Sequence, residues 1–299
     1  MEIAARGAAA LLMIAMPLAL GAYLVRRFRT GWGLFLIGAV TFIGSQIFHI
    51  PFNSYVLNPV LASIGFGGDT GPGLTLAVAA LLLGLSAGVF EEGARWLVYR
   101  FWIRKARTWP QGVVYGSGHG GAEAFIAGLL AIATLVQLVS LQGQDLAAVV
   151  PAEQLAAAQA QVEAYWALPG WTFFLAAVER ASSLAIQITL AVMVLQSFVR
   201  PRGWLWLLAA IGWHALVDAI AVYLGITTGV YAGSISGTII TEIAIALMAA
   251  VSLFVLFQLR PKATPDAAPP SPPPPHAGPL EGDLETPANL DASRFTGQG

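Results

Sequence analysis

Apolar residues run with little interruption through seven stretches, residues 3–25, 31–48, 74–103, 113–141, 171–198, 205–224 and 234–259. At a rise of about 1.5 Å per residue, each is long enough to cross or nearly cross a hydrocarbon layer roughly 30 Å thick. The pattern therefore predicts an all-α fold, a polytopic integral membrane bundle of about seven transmembrane helices. Between residues 142 and 170 the pattern changes: Leu155, Val162 and Trp166 recur at helical spacing among Gln and Ala, which predicts an amphipathic helix near 152–166 on the outer surface. After Pro261 the periodicity ends in a Pro-rich run at 269–275 and an acidic, Gly-containing terminus, too poor in apolar area to fold. The expected organisation is one helical membrane domain over 1–262 and a disordered cytoplasmic tail over 263–299.

The polar positions between the spans set the orientation, because Lys and Arg accumulate in cytoplasmic loops. Arg26, Arg27 and Arg29 follow the first span, Arg100, Arg104, Lys105 and Arg107 close the third, Arg200 and Arg202 follow the fifth, and Arg260 and Lys262 follow the seventh. The remaining loops carry no Lys or Arg, and Arg6 is the one dissenter. The N-terminus is expected outside and the C-terminus in the cytoplasm. Because the positive charges follow the first apolar run, that run reads as a retained helix, not a cleaved signal. Composition agrees with a chain in the cell membrane: 57% hydrophobic and 10% charged residues, with mean hydropathy +0.72. A net charge of −1 offers no basic field for nucleic acid, and the absence of cysteine removes thiol chemistry and Cys-ligated zinc.

Against this background the ionisable residues inside the spans carry the information, since each costs roughly 2.5–3.5 kcal/mol at a bilayer centre and so faces the bundle interior. Glu91, Glu92 and Arg95 lie in the third span, His119 and Glu123 in the fourth, His214 and Asp218 in the sixth. Counted at helical rise from the basic ends, all three groups fall roughly 9–20 Å deep, between the cytoplasmic half and the middle of the bilayer. Members of each pair four apart share a helix face. Small residues crowd the same places, Gly84, Gly88 and Gly93 in one span and Gly116, Gly118, Gly120, Gly121 and Gly128 in the next, and predict close helix contacts. His49, beside Pro51, reads as a hydrogen-bonded packing residue. Glu179 and Arg180 read as an internal structural bridge.

The order Glu91-Glu92-x-x-Arg95, His119-x-x-x-Glu123, His214-x-x-x-Asp218, each motif in its own span, resembles the superfamily of CAAX prenyl endopeptidases, bacteriocin-processing homologues and PrsW-type proteases. Within it the chain looks most like the YhfC family of intramembrane metalloproteases. Two features depart from the CAAX-type pattern: the doublet-to-Arg spacing is one residue shorter, and Asp218 stands where Asn is common. The resemblance implies an intramembrane endopeptidase. Glu91 would be the general base, His119 would orient the same water, Glu92 and Arg95 would position it, and His214 with Asp218 would meet the oxyanion or leaving amine. A membrane-embedded or lipidated protein or peptide would be the substrate, at a cytoplasm-facing or mid-membrane site.

A metal version uses the same residues differently. His119 and His214, with Glu123 or Asp218, would ligate zinc and leave a position for water, Glu91 remaining the base. No His-Glu-x-x-His motif accompanies them. Two other classes stay open: a non-catalytic membrane scaffold that keeps the polar pocket, and a proton-linked transporter that uses the same groups as a relay.

Overall fold

The computed structural model describes residues 1–67 and 70–261; the expected tail over 263–299 lies outside these. Among the described residues there are nine α-helices and no strand: α1 Glu2–Phe28, α2 Trp32–Phe52, α3 Asn58–Ser63, α4 Leu74–Phe101, α5 Trp109–Ser140, α6 Ala152–Ala167, α7 Phe173–Val199, α8 Gly203–Thr227 and α9 Ile235–Gln258. Seven helical segments are long and apolar enough to cross a membrane. The protein is a multi-pass, all-helical integral membrane protein.

The second span differs from its sequence-based boundary. Pro51 takes away a backbone donor, yet the helix runs on through Phe52, widens into a π turn over Asn53–Leu57, and continues as α3. π turns of this kind often present side chains at functional sites. Here it carries Asn53, which hydrogen-bonds His49 and Ser86.

Short basic connections bring the end of α1 to the start of α2, α4 to α5, and α7 to α8, so the Arg-rich loops and Arg260 share one end of the bundle. The α4–α5 connection is locally determined. Arg107 donates to the carbonyl oxygens of Tyr99, Ile103 and Ala106, satisfying the frayed end of α4. Thr108 and Gln111 then form a capping box that starts α5. Beneath this end Tyr99, Trp109, Val113, Val114, Tyr115, Val192, Val194 and Leu195 form a dense core.

The opposite end explains the dissenting arginine. Arg6 is buried, bonded to Glu2 at 3.0 Å and to the carbonyls of Tyr165 and Leu168, and surrounded by the rings of Tyr165, Trp166 and Phe173. Its charge is thus committed to joining α1 to the end of α6.

α5 packs on α1, α2 and α7, and α4 packs on α8 and α2. Glycine makes these contacts possible where backbones nearly touch. A Cβ on Gly118 would overlap the Phe35 carbonyl, one on Gly38 the Tyr115 carbonyl, and one on Gly84 the Ala215 carbonyl. Gly93 departs from the expectation: nothing lies within 4 Å of its Cβ position, because it borders an open groove between α4 and α2.

Candidate active site

These close crossings bring together polar side chains from α2, α4, α5, α7 and α8. Glu91 of α4 is at the centre. Gln46 Nε2 donates to its Oε1 at 3.0 Å, while its Oε2 receives Gln187 Nε2 at 3.3 Å and lies 3.1 Å from His119 Nε2. Arg95 Nη2 stands 3.7 Å from the same oxygen. The carboxylate is buried, with 6% of the residue exposed, and its remaining exposure is to an internal cavity.

Glu92, one residue on, points to another side of α4 and makes different contacts. It accepts from Arg95 and lies 2.7 Å from His214 Nδ1. An ionised carboxylate against Nδ1 holds the proton on that nitrogen and aims Nε2 the other way, toward Asp218 Oδ2 at 3.6 Å. Arg95 completes the link by donating to Gln187 Oε1. Glu92, Arg95 and His119 are fully buried. They stand behind the cavity wall and act on it through Glu91, Gln187 and His214.

The cavity itself measures about 330 Å³. Glu91, Glu123, Gln187, His214, Asp218 and His49 are among its polar lining residues. His49 therefore does more than pack: it stacks on Phe90 and hydrogen-bonds Asn53, yet one side of it meets the same space as Glu91.

The fourth-span pair separates. His119 turns to Glu91, whereas Glu123, one turn further along α5, accepts from Arg180 Nη1 at 2.6 Å, Gln187 Nε2 at 2.9 Å and Ser183 Oγ at 3.3 Å. Arg180 also holds Glu179. The Glu179/Arg180 bridge is thus part of the cavity wall and not a separate brace, because Arg180 reaches across from α7 to α5. Sequence reading passed over Gln46, Asn53, Ser183 and Gln187. Their signal was present as polar residues in apolar spans, where a side chain with unmet hydrogen bonds is costly.

The set expected to bind zinc is not assembled. Among the described residues no three His, Asp or Glu side chains converge as metal ligands. His119 uses Nε2 on Glu91, and its Nδ1 is buried with no partner among the described residues. His214 meets Glu92 through Nδ1. The two imidazoles are each matched to a carboxylate, His119 to Glu91 and His214 to Glu92.

Depth along the chain also shows where the cavity leads. Beyond the level of Glu91, His119 and His214, the lining extends to Asn53, Leu83, Glu179, Asp218, Val222 and Ile245, on the helix portions leading away from the basic loops. A second cavity of about 410 Å³ shares Glu179, Arg180, Ala221 and Ile245 with the first and extends to Leu168, Thr172, Val230 and Tyr231, in the loops and helix ends farthest from the basic ones. Of the two placements expected, cytoplasm-facing or mid-membrane, the geometry matches the second: the basic end is filled by the core around Tyr99 and Tyr115, and the cavity leads the other way.

Residues 12–255 match the model of the family described as YhfC intramembrane metalloprotease. The uncharacterized membrane protein YhfC of Bacillus subtilis (strain 168) is 29% identical over 218 residues, which cover 69% of this chain and 79% of that protein. No solved structure matches the chain. The matched region holds every polar residue of the site and nearly the whole bundle, and on that match the chain belongs to the YhfC intramembrane metalloprotease family.

Proposed function

We propose that this protein is an intramembrane endopeptidase that hydrolyses a peptide bond with water activated by Glu91. The observation that carries this reading is the position of Glu91: a carboxylate held by Gln46, His119 and Gln187, facing a cavity that His214 and Asp218 also face. Family membership supports it, and the order of the three motifs supports placing the family in the CAAX prenyl endopeptidase and PrsW superfamily. A water in the cavity would lose its proton to Glu91 as it attacks the scissile carbonyl. His214, when protonated on Nε2 as well as Nδ1, would donate to the oxyanion with Asp218 as its neighbouring carboxylate, and Glu91 would return the proton it took from water to the leaving amine. His119, Glu92 and Arg95 are positioning residues: they fix Glu91 and His214 and do not touch substrate.

No step of this scheme passes through a metal, because the donors are arranged as carboxylate–imidazole pairs. The test is metal analysis of the purified full-length protein beside cleavage of a quenched-fluorescent transmembrane reporter in proteoliposomes. Turnover is expected to survive chelation, with metal well below one equivalent. Turnover that is lost on chelation and restored by zinc would replace this scheme with one in which His119 and His214 reorganise around an ion. A reporter that is never cut would remove the protease reading.

The cytoplasmic placement of the basic loops follows from the positive-inside rule. It puts the mouth of the two cavities on the outer side of the membrane, and the substrate is then a peptide segment at the outer boundary of the bilayer. A lipidated tail in the inner leaflet is the poorer fit. Because the chain has no cysteine, single-cysteine variants report access cleanly. Tyr231→Cys, at an exposed residue lining the outer cavity, should react with a membrane-impermeant maleimide on intact cells. Lys105→Cys should react only after lysis. The reverse pattern would invert the orientation.

A further inference from the structure

The second cavity contains a carboxylate that the hydrolytic scheme leaves unused. Glu242 of α9 lines it with Thr241, Glu179, Arg180 and Tyr231. Arg180, the one cation in the wall among the described residues, is already held by Glu179 and by Glu123. Glu242 makes no salt bridge among the described residues, and its Oε2 is buried without a hydrogen-bond partner there. The neighbouring Thr241 is independent of this charge balance. Its residue is 9% exposed, and its Oγ1 also lacks a partner among the described residues.

A carboxylate inside a membrane helix is retained when something pairs with it. Here two acceptor-bearing side chains, one of them a carboxyl group, border a space whose one cation among the described residues is spoken for. The exposed ring of Tyr231 at the mouth adds a face attractive to a positive group. We propose that this outer cavity is a subsite for a cationic group of the substrate, a lysine or arginine side chain or a free α-amine, which Glu242 receives with Thr241 assisting. The peptide then continues past Arg180 into the cavity that Glu91 faces, since the two spaces share the wall built by Glu179, Arg180, Ala221 and Ile245. The assignment of the bound group as substrate rests on the proteolytic reading above, whereas the binding of a cation does not.

The experiment separates the two by measuring binding without turnover, on full-length Glu91→Gln protein in detergent. Three fluorescent alanine–leucine pentapeptides are compared by anisotropy: acetylated with a central lysine, acetylated with norleucine there, and norleucine-containing with a free N-terminus. A basic peptide, through its side chain or its α-amine, should bind at least about tenfold more tightly than the neutral one, as a desolvated charge pair requires. The preference should fall to near unity in Glu91→Gln/Glu242→Gln and weaken severalfold with Thr241→Val, both variants keeping their melting temperature. The difference between the lysine and free-amine peptides identifies which cation is read. Equal binding of all three, no binding of any, or a preference that survives Glu242→Gln would overturn the subsite. Cleavage of the reporter by the wild-type protein would in each of those cases leave the protease reading standing.

Discussion

Glu91→Gln is expected to abolish measurable hydrolysis while leaving the protein folded. General-base removal costs roughly 10²–10⁴-fold in rate, and here the base is a buried carboxylate for which the cavity holds no equivalent substitute. Glu123 is engaged by Arg180 and Gln187, and Asp218 lies beside His214. Glutamine keeps the size of the side chain and one acceptor oxygen, so Gln46 or Gln187 can still donate to it. The nearby Arg95 keeps its closer partner, Glu92. Melting temperature in detergent should therefore change little. The measurement is initial cleavage rate of the transmembrane reporter by matched, monodisperse preparations. Wild-type turnover in Glu91→Gln would end the assignment of Glu91 as base and favour a non-catalytic scaffold built on the same polar pocket.

The second large effect is structural and comes from the smallest residues. Gly84→Ala adds a single methyl group, but it lands on the Ala215 carbonyl where α4 crosses α8, and Gly88 is the next contact along, with Ile211 O at 2.7 Å from its Cβ position. Backbone cannot move aside as a flexible side chain can, so the helices must separate. Overpacking costs typically about 1–3 kcal/mol, and a clash with backbone should reach the top of that range. Separation would also draw His214 away from Glu92, so activity should fall along with stability. Gly93→Ala is the control: its Cβ meets nothing within 4 Å, and replacing glycine in a helix gains roughly 0.5–1 kcal/mol. Thermal unfolding of the two variants should therefore shift in opposite directions. A Gly84→Ala protein that melts with the wild type would show that the α4–α8 contact is looser than the structure has it.

Much of this molecule was written in its one-dimensional pattern. Seven apolar runs, basic residues at alternate connections and three charged motifs buried in lipid-length helices determine the class of fold and single out Glu91, His119 and His214. Periodicity and burial cost act locally along each helix, so they are legible residue by residue. Which face of each helix meets which neighbour was not. Spacing of four placed Glu123 beside His119 and Asp218 beside His214, but rotation of α5 sends His119 to Glu91 and Glu123 to Arg180. The partners Gln46 and Gln187 come from α2 and α7, dozens of residues from Glu91 in sequence, and only the glycine-mediated crossings bring them within reach. The direction in which the site opens was likewise a tertiary matter. Charge distribution orients the chain, but whether the cavity leads toward the basic loops or away from them depends on where bulky side chains fill the bundle. Here Tyr99, Trp109 and Tyr115 fill the basic end.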